Sequence, residues 1–174
     1  MTFDYANLEL VRSEMVAEVE ADRANDAIYI SSRLTDVGAR QWPQLLLEAA
    51  QVGDSDSLGR GLRSPGLLAE YEVATRNGKA NTKRVPVTAA DTLAEGEFNR
   101  YYLRALAKVA IATGRRVEIY RGKASVNPRS SSTVAEGRIL DPRDLLADLR
   151  SNVGVDAALG LPPGPNSGLT GRLA

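Results

Sequence analysis

Leu8, Val11, Met15 and Val19 recur three and four residues apart directly after Asn7, the spacing that lines side chains along one face of an α-helix. Asn7 is a good N-cap residue, so an acidic amphipathic helix is expected there, with a break near residues 25–34. The run QWPQLLLEAAQVG (residues 41–53) predicts a second helix, with Pro43 in its first turn and Gly53 as its stop. DSDSLGRGLRSPG (residues 54–66) is rich in turn formers and reads as a joint holding one helical turn. The pattern then changes period. Asn77-Gly78 stands between two extended runs, with Tyr71 and Val73 on one face of the first. This dipeptide suits the type I′ turn of a hairpin, which needs φ > 0 at both central residues. Pro86 ends the second strand or marks it as an edge.

Helical spacing returns after Thr88. Ala94, Phe98, Tyr102, Ala105, Val109 and Ala112 share one face of a long helix over 89–113, stopped by Gly114. Arg100, Arg104 and Lys108 form a separate i, i+4, i+8 stripe, and Tyr101 falls between the two faces. RRVEIYR (residues 115–121) predicts a short strand with Val117 and Ile119 inward, and residues 122–137 a loop or arm. In DPRDLLADLR (residues 141–150), Asp141 as N-cap and Pro142 at the first position open a last helix, with Leu145, Leu146 and Leu149 facing in.

The expected fold class is therefore α+β: a small sheet, made of the hairpin plus one strand, packed on a long helix. Residues 1–38 read as an acidic helical N-terminal arm and 39–150 as the core domain. Residues 151–174 read as an extended Pro/Gly-rich C-terminal tail. Prolines at 162, 163 and 165 bar a helix in the tail. Leu159, Leu161, Leu169 and Leu173 would anchor it in a groove of a neighbouring subunit and order it only on assembly.

Charge sharpens this organisation. Met1 to Asp26 holds seven acids and two arginines, a net of −5, whereas Arg76 to Lys123 holds eleven Lys/Arg and four acids, a net of +7. An acidic helix docking on a basic face, within one chain or between subunits, would use that asymmetry. So would a basic face meeting nucleic acid, with Arg100, Arg104, Lys108, Arg115, Arg121, Lys123 and Arg129 as candidate partner or phosphate contacts.

Composition narrows the chemistry. The chain has no cysteine and no histidine. This removes disulfides, thiolate nucleophiles, the commonest metal ligand and the usual general base. The remaining carboxylate patterns fall short. Asp54 and Asp56 begin like a calcium loop, but Leu58 stands where the next oxygen ligand belongs. Gly59 and Gly61 lack the lysine of a phosphate loop. No enzymatic activity and no cofactor are expected. No apolar run approaches the ~20 residues of a membrane helix, and the first ten residues have no signal-peptide pattern, so a cytosolic pool is expected.

The segment AEGEFNRYYLRALAKVAI (residues 94–111), then VEIYRGKASVNPR and LLADLR, resembles a family of small proteins of bacteriophage and prophage gene clusters. Glu97, Phe98, Asn99, Arg100, Tyr101, Tyr102, Arg104, Tyr120, Arg121, Lys123, Pro128 and Arg129 carry the resemblance. It implies a virion component, a head, capsid-associated or head–tail joining protein that assembles with other virion proteins and with copies of itself. It implies no chemistry. The alternative left open by the residues is a nucleic-acid-binding protein using the basic face of helix 89–113.

Overall fold

The structure is a computed structural model and describes residues 3–76, 79–124, 128, 130–153 and 167–174. Its elements are α1 (Leu8–Ala24), α2 (Asp36–Val52), α3 (Ser55–Leu62), β1 (Tyr71–Arg76), β2 (Lys79–Arg84), α4 (Ala89–Thr113), β3 (Val117–Arg121), α5 (Ser130–Ala135), β4 (Ile139–Leu140), α6 (Pro142–Ser151) and β5 (Leu169–Leu173).

The 25-residue α4 is the axis of the molecule. Helices α1, α3 and α6 pack along it, and β5 and β3 close a further side. A helix enclosed in this way cannot keep one polar face. Fourteen of its residues are buried, Glu97, Arg100 and Arg104 among them. Alanine at 94, 105, 107 and 110, all fully buried, lets neighbouring helices approach closely. Gly114 stops α4 in the left-handed conformation at φ 67°, as its position predicts.

The α+β class, the long helix, the hairpin and the Val117–Arg121 strand are all present, but the strands divide between two sheets. β1 and β2 pair antiparallel from Tyr71↔Arg84 to Arg76↔Lys79; Asn77 and Gly78, read as the hairpin turn, lie outside the described residues. The second sheet has the order β4-β3-β5, all antiparallel, with Val117 and Ile119 fully buried. β5 corrects the reading of the last residues as an anchor for a neighbour. Leu169 and Leu173 are 0% and 9% exposed in this chain's own core. The physical reason is a period-2 pattern, Leu169-x-Gly171-x-Leu173, that matches the buried face of β3. Gly168 precedes it at φ 68°, where a Cβ would lie 2.3 Å from the Lys123 carbonyl. That carbonyl-lined turn accepts only glycine. Leu159 and Leu161 lie outside the described residues.

Local chemistry moved other boundaries. α2 starts at Asp36, capped by Thr35, whose hydroxyl accepts from the Gly38 amide at 3.0 Å. Pro43 therefore sits inside the helix rather than in its first turn. Residues 55–62 form two helical turns because Asp54 and Ser57 make a reciprocal capping box at 2.7 and 2.8 Å. One buried cluster runs from Phe3 to Leu173 and includes Val11, Met15 and Val19 of α1. The acidic helix and the last strand thus share the core of the middle segment. Trp42 is fully buried and donates its indole N–H to the Tyr29 carbonyl at 2.9 Å.

Candidate functional site

The residues singled out by charge and motif converge on α4 and its neighbours, and nearly all of them are engaged inside the fold. Arg104 is 3% exposed. Its Nε donates to Glu18 at 2.7 Å, and its terminal nitrogens donate to Asp22 at 2.5 and 2.9 Å. Its guanidinium also lies 4.9 Å from the centroid of the Tyr101 ring. Tyr101 in turn donates its hydroxyl to Asp22 at 2.8 Å. Lys108 pairs with Glu14 at 2.6 Å and Glu18 at 3.2 Å, and Arg150 of α6 reaches Glu18 at 2.6 Å. Glu18, itself 3% exposed, therefore holds cations from two helices. The sequence asymmetry is resolved within one chain: the acidic helix docks on the basic stripe.

The electrostatics follow from this geometry. Burial is the largest influence on Glu18 and would raise its pKa, but the hydrogen bonds and charges of Arg150 and Arg104 together hold it below the ordinary glutamate range. Glu97 behaves in the opposite way: burial dominates over Arg100 and lifts its carboxyl above that range. Arg100 is 6% exposed and pairs with Glu97 at 3.5 Å. It donates to the carbonyls of Leu149 and Asn152 at 3.0 and 2.7 Å, placing a cation at the C-terminal end of α6, where the helix dipole favours one. The Lys108 ammonium is raised, chiefly by its bond to Glu14.

The other residues of the motif clamp β5 and residues 4–7. Asn99 donates to the Leu169 carbonyl at 3.0 Å and accepts from the Thr170 hydroxyl at 2.7 Å. Tyr102 donates to the Gly171 carbonyl at 3.0 Å and accepts from the Asn7 amide at 3.2 Å. The Asn7 side chain, expected to cap α1, instead accepts from the Leu173 amide at 2.9 Å. Phe98 is fully buried, with the Tyr5 ring 5.1 Å away between centroids. Tyr120 donates to the Asp4 carbonyl at 2.6 Å. Arg115 donates to the carbonyls of Leu173 and Ala174, both at 3.2 Å. Arg121 reaches Glu136 and the Ser167 carbonyl, the latter at 2.8 Å, and Lys123 pairs with Glu95. Arg129 lies outside the described residues.

Of the two uses the sequence leaves open for Arg100, Arg104 and Lys108, the fold shows the acidic helix docked on them within one chain. Two of the three are buried, and all three have carboxylate partners. The role of Asn99 was missed, because nothing in its neighbourhood announces a strand seventy residues away. The Leu169/Leu173 alternation could have pointed to it. Among the described residues no group of three or more acidic side chains is placed to hold a metal ion, and no helix is long and apolar enough to cross a membrane.

The β1–β2 ribbon exposes Tyr71 by 51% and Val73 by 73%, and residues 80–84 are all exposed or nearly so on its second strand. An open cleft of about 510 Å³ is lined by residues 3–10 and Asp54. Comparison with protein-family models, curated proteins and solved structures finds no match to this chain.

Proposed function

We propose that this protein is a non-enzymatic structural component of a bacteriophage particle, in the head, on the capsid or at the head–tail joint, assembling through contacts between subunits. The observation that carries the reading is the β1–β2 ribbon. Its root is tied down by the Leu34↔Leu68 bridge and by the ion pair from Glu72 to Arg33 at 2.6 Å, while Glu72 also pairs across the ribbon with Lys83 at 3.2 Å. Beyond that root, two strands of six residues each stand out with apolar side chains in water. A two-stranded sheet is at best marginally stable alone, and unpaired strand edges invite another chain. A surface of this kind is suited to assembly.

The resemblance of residues 89–150 to phage-encoded proteins supplies the setting. The engagement of the motif residues in internal bonds supports a role for them in shape rather than chemistry. A nucleic-acid-binding role through helix 89–113 has less support, because Arg100, Arg104 and Lys108 already face carboxylates. The virion is then the place of residence, with other virion proteins and further copies of the chain as partners.

The test is twofold. Purified particles should contain the chain in stoichiometric amount by mass spectrometry, and the isolated protein should gain mass with concentration in sedimentation. Particles that lack the chain, together with a strictly monomeric protein, would refute the proposal.

A further inference from the structure

Resting on that assembly reading, we infer that the β1–β2 ribbon docks into the Phe3–Leu10 cleft of a second copy of this chain, joining copies head to tail. The two surfaces match in charge. Residues 71–84 hold four Lys/Arg against Glu72 alone, a net of +3. Lys83 and Arg84 keep 53% and 76% of their side chains exposed despite their pairing with Glu72 and Glu70. The cleft carries Asp4, Glu9 and Asp54 and no cation among its lining residues. Asp4 is exposed, and the Glu9 side chain is 80% exposed although it bonds Arg12.

They also match in apolar character. Tyr71 and Val73 lie on one face of β1, two residues apart. The cleft offers Leu8 and Leu10, the latter 59% exposed, and Val52, 85% exposed, stands two residues before Asp54. Exposed Leu10 on an acid-rimmed cleft suits an amphipathic ribbon with basic positions.

The fold makes this contact heterologous. Asp54 caps the N-terminal end of α3, and the chain leaving the C-terminal end of α3 leads into β1. Eight helical residues separate the two ends by about 12 Å. Each molecule therefore presents both halves of the contact at different places, which is the arrangement that generates rings or filaments. The alternative two-fold pairing, ribbon edge to ribbon edge along the length of β2 (Lys79–Arg84), would set Arg84 of one copy opposite Lys79 of the other and is opposed by like charge.

Charge-swapped variants of the full chain test the inference. Lys83→Glu with Arg84→Glu alters the ribbon, and Asp4→Lys with Glu9→Lys alters the cleft. Lys83 and Arg84 pair with Glu72 and Glu70, and Glu9 with Arg12, so each variant should melt somewhat below the parent; a parent-like circular-dichroism spectrum and a cooperative melt confirm that it is folded. Each variant alone should self-associate at least about tenfold more weakly by sedimentation equilibrium. An equimolar mixture of the two should recover assembly with the variants alternating, because native ribbon then meets native cleft and the swapped halves are again complementary. If both variants assemble like the parent, the ribbon–cleft contact is wrong while the assembly reading survives. A parent that stays monomeric up to high micromolar concentration also overturns it. So does a parent that binds duplex DNA in a salt-sensitive manner lost with Lys83→Glu and Arg84→Glu, since the ribbon would then take nucleic acid. The virion mass-spectrometric test is independent of all these outcomes.

Discussion

Replacing Glu18 by glutamine removes one charge and almost no volume from the seam between α1, α4 and α6. In the native protein Glu18 is 3% exposed and faces Arg104, Lys108 and Arg150 at 2.6, 3.2 and 2.6 Å. Taking one partner out of a buried ion pair costs about 3–5 kcal/mol, because the opposite charge is left desolvated without compensation. The lower end applies here, since Arg104 keeps Asp22 and Lys108 keeps Glu14. A loss of about 3 kcal/mol is a large part of the ~5–15 kcal/mol that holds a domain together. For a chain of this length each kcal/mol moves the melting temperature by ~2–4 °C, so Glu18→Gln should melt about 6–12 °C lower in calorimetry. The control is Glu9→Gln, which breaks an exposed pair with Arg12 and should leave the melting temperature unchanged. Salt near ~1 M, where the screening length is about 3 Å, should leave most of the difference between the two variants in place. A Glu18→Gln shift no larger than that of Glu9→Gln would refute the reasoning and show that α1 is held to α4 by apolar packing alone.

Phe98→Ala should destabilise the fold by about 3–5 kcal/mol in urea titrations, since its ring is fully buried; an unchanged midpoint would place Phe98 outside the core. Ending the chain after residue 160 removes β5, its ladder to β3 and the bonds from Asn99 and Tyr102. The free subunit should then lose cooperative unfolding by circular dichroism, and a truncated chain that melts like the parent would show β5 to be dispensable. Stability should fall in acid, because the depressed Glu18 carboxyl contributes above the ordinary value of ~4.3 and loses that contribution as pH drops through its folded-state pKa. Glu97 has the opposite sign. Its raised pKa favours folding below ~4.3 and opposes it as pH rises toward the folded value. Glu97→Gln should thus gain on the parent as pH climbs from acid to neutral in pH-stepped denaturant melts, and a constant or reversed difference would show that Glu97 is not a desolvated carboxyl.

The sequence by itself determined most of the local elements. The cap at Asp141, the stop at Gly114 and the apolar periods of α1, α4 and α6 all operate within a few residues, so they are legible along the chain. It also determined that charge was divided between an acidic and a basic segment, and hence that the two would meet something of opposite sign. Tertiary structure alone decided what each met. An i, i+4, i+8 stripe of Arg100, Arg104 and Lys108 looks the same whether water, phosphate or carboxylates face it. Only the docking of α1 along α4, driven by burial of Val11, Met15 and Val19, brings Glu14, Glu18 and Asp22 onto that stripe. The same holds for Leu169–Leu173: five residues with two leucines, one glycine and one arginine carry little local propensity for a strand. They become one because β3 offers an open edge, and Asn99 and Tyr102 on α4 offer donors to their carbonyls. The leucine alternation hints at a strand, but which partners its carbonyls find seventy positions away depends on how β5 packs on α4, which a local period does not encode.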